Sequence, residues 1–178
     1  MGGRPKALLK FRGKTFLEHV LAAASDAGIT TAVVVVGHHK DEIAAVFPRL
    51  SLVFNPDYEQ GMSTSVQAGL RALPAGTTGA GVFLVDQPLI DAATVAMLAR
   101  ELVPAGIVLP VCQGRRGHPV FFGADLFDEV LSLGAGQGLN IVVRKDPSRV
   151  TEVPVANPGV LLDVDTPGEL ENLLRGGE

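Results

Sequence analysis

Five groups of residues in this 178-residue chain combine types and spacings suited to chemistry on phosphates. The first opens the chain: Met1-Gly2-Gly3-Arg4-Pro5-Lys6-Ala7-Leu8-Leu9. Gly2 and Gly3 let backbone N–H groups approach phosphate oxygens, and Lys6 adds a compact positive charge. A chain end with ordinary surface charge accounts for the same nine residues, so the rest of the sequence decides. The second is Asp86, directly after the apolar run Val82-Phe83-Leu84-Val85 and before Gln87-Pro88. A carboxylate there suits Mg²⁺, which takes oxygen ligands and bridges to phosphates. An Asp that merely caps a turn is the alternative. The third is Asp163-Val164-Asp165-Thr166-Pro167, whose carboxylates at i and i+2 share one side of an extended segment just before a helix. They read as metal ligands or as helix-start charges favoured by the dipole. The fourth runs from Asn55-Pro56 to Gly61-Met62-Ser63-Thr64-Ser65. Gly61 permits close backbone approach, and the hydroxyls beside a helix N-terminus can hold a base, a ribose or a phosphate, or simply cap a helix. The fifth, Gly114-Arg115-Arg116-Gly117-His118-Pro119-Val120, is a basic loop whose arginines can fork onto phosphate, or a solvated hairpin turn.

Composition removes several other classes. The net charge of −4, without an extended basic cluster, argues against nucleic acid as a partner. The single cysteine, Cys112, excludes an intramolecular disulfide framework and a multi-cysteine zinc site, fits a reducing cytoplasm, and reads as a small buried hydrophobe rather than a nucleophile. The apolar runs are too short to cross a bilayer, and Met1 is not followed by a signal-peptide core. No GxSxG elbow, no GxGxxG after a strand, no complete GxxxxGK[ST] loop and no HExxH spacing exist. His38 and His39 read as helix-start or solvent-facing residues.

The elements that must position these groups follow from capping and periodicity. Thr15-Phe16-Leu17-Glu18 is a capping box for a helix carrying Leu17, Val20, Leu21 and Ala24 on one face, with Gly28 as its stop. The β-branched run Thr31 to Val36 predicts a buried parallel strand. A helix over Asp41 to Phe47, a strand at Leu52-Val53-Phe54, a helix capped by Ser63, and a strand from Gly81 to Val85 follow. Asp91 caps a helix to about Leu102; Ile107–Leu109 and Pro119–Phe122 read as strands. Helices over Leu126–Leu133 and Leu139–Lys145, strands over Val150–Val155 and Val160–Leu162, and a last helix opened by Thr166-Pro167-Gly168-Glu169 complete the chain. Alternating strands and helices over the first ~110 residues predict an α/β fold with a mostly parallel sheet, in one domain over residues 1–178.

Taken in order, the five groups resemble one family, the MobA-like NTP transferases, and within it the molybdenum cofactor cytidylyltransferase branch. The resemblance spans nearly the whole chain. It implies a Rossmann-like, GT-A-like nucleotidyltransferase fold of three α/β/α layers. It also implies transfer of a nucleoside monophosphate, CMP favoured over GMP, from CTP or GTP to the phosphate of a pterin cofactor, with loss of pyrophosphate. On this resemblance Lys6 and Asp86 are the catalytic residues; Gly2, Gly3, Lys6, Asn55, Gly61, Ser63 and Ser65 bind the nucleotide; Arg115, Arg116 and His118 face the acceptor; and Mg²⁺ sits on Asp86 with Asp163 or Asp165. Phosphoryl transfer needs positioning and charge neutralisation rather than a protein nucleophile, in keeping with the residues present. A sugar or polyol phosphate as acceptor, or a non-catalytic relative serving a molybdoenzyme client, are the other readings. The chain departs from the family pattern twice. Family members begin with a strand and a longer glycine-rich loop before the Pro-Lys pair, whereas Met1 falls late in that loop, so apolar edges are expected on both strands that would flank the first one. The family's GDxGAR-like segment is replaced by Gly136-Gln137-Gly138-Leu139-Asn140.

Overall fold

The computed structural model describes residues 5–134 and 136–175. Local signals set most element boundaries. After an antiparallel hairpin of β1 (Lys10–Phe11) and β2 (Lys14–Thr15), Thr15 closes the capping box. Its hydroxyl accepts from the Glu18 N–H, and the Glu18 carboxylate accepts from the Thr15 N–H at 2.6 Å. The box opens α1 (Phe16–Asp26), which buries Phe16, Leu17, Val20, Ala23 and Ala24, and Gly28 at φ +88° ends the excursion. Then follow β3 (Val34–Val36), α2 (Lys40–Val46), β4 (Leu52–Phe54), α3 (Met62–Arg71), β5 (Gly79–Val82) and α4 (Ala92–Arg100), the last capped by Asp91 onto the Thr94 N–H. The later half holds β6 (Ile107–Cys112), β7 (Arg115–Arg116), β8 (Val120–Gly123), α5 (Phe127–Leu131), α6 (Asn140–Lys145), β9 (Val150–Pro154) and α7 (Pro167–Arg175).

The principal sheet has the order β5-β8-β6-β7, with β9 parallel to β6 along its other edge. β8 runs antiparallel to both β5 and β6, so the expected α/β sheet is mixed at this point. Period-two alternation sends neighbouring residues to opposite faces. Ile107 and Phe122 join Leu126, Val130 and Val142 beneath α5 and α6, while Val108 and Phe121 join Val95, Leu98 and Val153 beneath α4. These two cores make the three α/β/α layers. Pro110 sits inside β6, where β8 pairing has ended at Val108 and β7 pairing starts at Val111, so its missing N–H leaves no gap in either ladder.

Several boundaries differ from the sequence expectation. Of Thr31–Val36, only Val34–Val36 pairs, parallel to β4, because β4 offers three residues. The strand expected over Gly81–Val85 pairs two residues earlier, as Gly79–Val82, and then runs unpaired to a turn at Val85-Asp86. Val160–Leu162 is not a strand: Pro158–Leu161 is a 3₁₀ turn, started by Pro158 and by the Asn157 side chain accepting from the Gly159 N–H. Ser63 does not cap α3. Gly61, at φ +116°, holds the cap position, and Ser63 lies buried in the first turn.

β3 and β5 each pair on one side only. Their free edges face each other across a cleft of about 810 Å³, lined by residues 30–35 and 76–86 and roofed by Leu17, Leu21, Val66 and Leu70. Among the described residues no strand lies between them. No helix of the described residues is long and apolar enough to cross a membrane.

Candidate active site

Three remote segments meet where β5 ends. The first is the turn Val85-Asp86-Gln87, closed by the Gln87 N–H on the Leu84 carbonyl. The second is the stretch 157–165, laid along 86–91 by backbone and side-chain bonds. Val164 N–H donates to the Asp86 carbonyl at 2.9 Å, and Asn157 donates to the Leu89 carbonyl at 3.1 Å. The third is Gly117-His118-Pro119, where the His118 N–H donates to the Val160 carbonyl at 3.0 Å. The segments touch so closely that a Cβ on Gly159 would lie 2.5 Å from the Leu89 carbonyl oxygen, and one on Gly117 2.2 Å from that of Val160. Any side chain at either place must push the backbones apart.

This packing brings Asp86, Asp163 and Asp165 together, flanking the buried Val164. The charges then sort themselves. Lys6 reaches in from the helical turn Lys6–Leu8, whose Ala7 is buried, and its Nζ donates to Asp86 Oδ2 at 3.0 Å and to Asp165 Oδ1. Partial burial pulls the Lys6 pKa down, but these two hydrogen bonds and the charges behind them outweigh it and hold the ammonium above its usual range. Asp163 is served differently: the buried Gln87 donates its Nε2 to Asp163 Oδ1 at 2.8 Å. His118 is half-buried, and that burial holds its pKa below the ordinary imidazole range against the pull of Asp163 and Asp86. A neutral imidazole therefore stands beside the acidic cluster at neutral pH.

The cleft between β3 and β5 opens onto this cluster. Asp86 and Ala7 share its lining with Met62 and Ser65 of the α3 N-terminus, so the acidic group and the hydroxyl-bearing helix face one space. Gly61 carries no side chain over the first α3 N–H groups. Asn55 and Ser63, expected at the nucleotide, are buried at 3% and 2% exposure. Asn55 donates to Thr64 Oγ1 and Ser65 Oγ, both at 2.9 Å, and accepts from the Asp57 N–H. It fixes the entry to α3 and orients Ser65. Gly2 and Gly3 lie outside the described residues.

The basic loop is a β6–β7 hairpin turned at Gln113-Gly114, both with positive φ. It does not present its arginines together. Arg116 Nη2 pairs with Glu152 of β9 at 2.6 Å, whereas Arg115 is exposed and takes part in none of the ion pairs of the described residues. Gln87 and the Gly117–Val160 contact had no assigned role at the sequence level. Gln87 follows Asp86 directly, but nothing in its type predicts that it turns inward.

A divalent ion suits Asp86 and Asp165. The two carboxylates already share one cation, the Lys6 ammonium, and hard cations that bind through one or two carboxylates draw their other ligands from water and phosphate. Among the described residues no group of three His, Cys, Asp or Glu side chains forms a closed metal cage.

The sequence matches the MobA-like NTP transferase domain over residues 1–150. It is 30% identical over 184 residues to the nicotine blue oxidoreductase of Paenarthrobacter nicotinovorans, covering 98% of this chain and 90% of that protein. The bifunctional protein GlmU of Clavibacter sepedonicus is 40% identical over 98 residues, 53% of this chain, and the chain spans only 20% of that GlmU. Among solved structures, Rv0371c of Mycobacterium tuberculosis H37Rv in complex with manganese is similar with a TM-score of 0.82 at 27% identity, covering 97% of this chain and 93% of that one. A nucleotidyl transferase from Methanothermobacter thermautotroptrophicus is similar with a TM-score of 0.83 at 25% identity, covering 96% and 84%. Fold, motif order and full-length likeness agree: the chain belongs to the MobA-like NTP transferase family.

Proposed function

We propose that this protein transfers a nucleoside monophosphate, CMP in preference to GMP, from an NTP to the phosphate of molybdopterin in the cytoplasm. The observation that carries this reading is the Lys6–Asp86–Asp165 cluster, whose Asp86 lines a cleft shared with Met62 and Ser65 of the α3 N-terminus. An oxygen of the acceptor phosphate attacks the α-phosphorus. The bond from that phosphorus to the bridging oxygen breaks, and pyrophosphate leaves with the electron pair. Lys6 neutralises triphosphate oxygens, and Ser65 with the first N–H groups of α3 holds the nucleotide side. Asp86 and Asp165 would hold a divalent cation, Mg²⁺ or Mn²⁺, which would supply charge neutralisation at the reacting phosphates. Asp163, kept in place by Gln87, supports the cluster from behind. Arg115 and the neutral His118 face the acceptor.

The test is pyrophosphate release with each NTP, Mg²⁺ or Mn²⁺, and molybdopterin, against sugar and polyol phosphates as acceptors. Release that requires the pterin, is fastest with CTP and vanishes in Asp86→Ala is expected. Nucleotide binding without release in any combination would sink the enzyme reading and leave a binding protein serving a molybdoenzyme client. A second reading, an oxidoreductase activity on nicotine blue, is favoured by one finding, the full-length likeness to nicotine blue oxidoreductase. Turnover of nicotine blue in the same preparation would establish it.

A further inference from the structure

We infer that Lys6 is an exchangeable stand-in for the divalent cation: its ammonium occupies the place between Asp86 and Asp165 in the nucleotide-free protein, and it moves onto the triphosphate when a metal ion takes that place. The inference rests on the reading that Asp86 and Asp165 are the metal ligands.

Three observations carry it. First, the backbones that carry the two carboxylates are held together without Lys6. The Val164 N–H on the Asp86 carbonyl ties the backbones together, and the Asp165 N–H is fixed separately on Glu169 at 2.7 Å. Two like charges so placed repel unless a cation stands between them. Secondly, Lys6 is the cation on hand. It bonds both carboxylates at once, across 80 and 159 residues of sequence, and no other lysine, arginine or histidine pairs with either among the described residues. Thirdly, only its side chain is free to move. The turn that carries it is closed by the Leu8 N–H on Pro5 and the Leu9 N–H on Lys6, with Ala7 buried, whereas the side chain is a four-carbon stem, a third exposed, ending in a point charge.

An ammonium and a metal ion cannot both occupy the position between the carboxylates. A metal ion arriving alone must drive Lys6 into water. One arriving with a triphosphate offers the displaced ammonium a new anionic partner. Metal and nucleotide therefore strengthen each other's binding, by the same factor in both directions.

The test is Mn²⁺ binding to the nucleotide-free protein, read by calorimetry and by the paramagnetic signal of free Mn²⁺. Lys6→Met, which keeps the stem and removes the charge, is expected to bind Mn²⁺ about tenfold more tightly than wild type and to lose most of the enhancement by a non-hydrolysable NTP. Lys6→Gln should behave alike, and a cooperative thermal transition without Mn²⁺ checks that both variants are folded. Equal or weaker Mn²⁺ binding in both folded variants, with Asp86→Asn still lowering wild-type affinity, overturns the inference and keeps the metal assignment. Mn²⁺ affinity unchanged by Asp86→Asn and by Asp165→Asn overturns the assignment itself.

Discussion

The acidic cluster and the basic hairpin carry the same kind of sequence signal, a few charged residues among turn formers, yet the fold treats them in opposite ways. Asp86, Asp163 and Asp165 are joined across about eighty residues by a backbone hydrogen bond and by two glycines that admit no side chain, with Lys6 shared by Asp86 and Asp165 and Gln87 held on Asp163. The hairpin holds Arg115 and Arg116 on neighbouring positions of a two-residue strand, so their side chains leave on opposite faces; one is taken by Glu152 and the other stays open. A cluster built from distant segments has fixed geometry, because moving any member breaks the packing of another segment. A hairpin tip has no such restraint. The first arrangement suits charge neutralisation at a defined place, and the second suits capture of a substrate that arrives in several orientations.

The largest expected effect lies in the fixed cluster. Asp86→Ala should lower transfer by about 10³-fold with little change in melting temperature, since the side chain is partly exposed while its backbone bond to Val164 remains. Steady-state kinetics beside thermal melting measures both. Gln87→Leu comes next. Without its Nε2, Asp163 turns, and metal affinity falls by about tenfold, read by activity against metal concentration. In the hairpin, Arg115→Ala should raise the acceptor KM by about tenfold while Arg116→Ala changes it far less, since Arg116 already spends its charge on Glu152. Equal effects of the two would erase the distinction drawn between them.

Smaller effects follow. The His118 pKa is lowered in the folded protein, so protonation favours the unfolded chain. Stability contributed here is present above about pH 6.5 and is lost as pH falls toward the depressed value, and His118→Gln should flatten that part of a melting-temperature profile. Thr15→Ala removes the α1 cap, remote from both charged regions. It should cost about 1 kcal/mol in denaturant unfolding and leave transfer unchanged.

Much of this was legible in the chain before folding. The capping box at Thr15 and the Asp91 cap are local patterns whose partners lie within a few residues, and the burial of Cys112 and the stretches of α5, α6 and β9 follow residue type and hydrophobic period. The carboxylates and Lys6 stood out by type among turn formers, but type alone left turn-cap, helix-start and surface-charge roles open. The misjudged parts were those decided by neighbours. β3 is short because β4 is short, and β5 pairs early because β8 ends at Gly123.

The sequence by itself determined the residue kinds, their order and the local stops and starts, because capping, glycine conformation and hydrophobic period act over a single turn of chain. Only the tertiary structure decided which charges meet. Lys6 lies 80 residues from Asp86 and 159 from Asp165, and no local rule pairs them. The pairing comes from the burial of Ala7 and Val164 and from two glycine contacts that bring three backbones together. In the same packing Lys6 pairs with Asp165, while Gln87 holds Asp163.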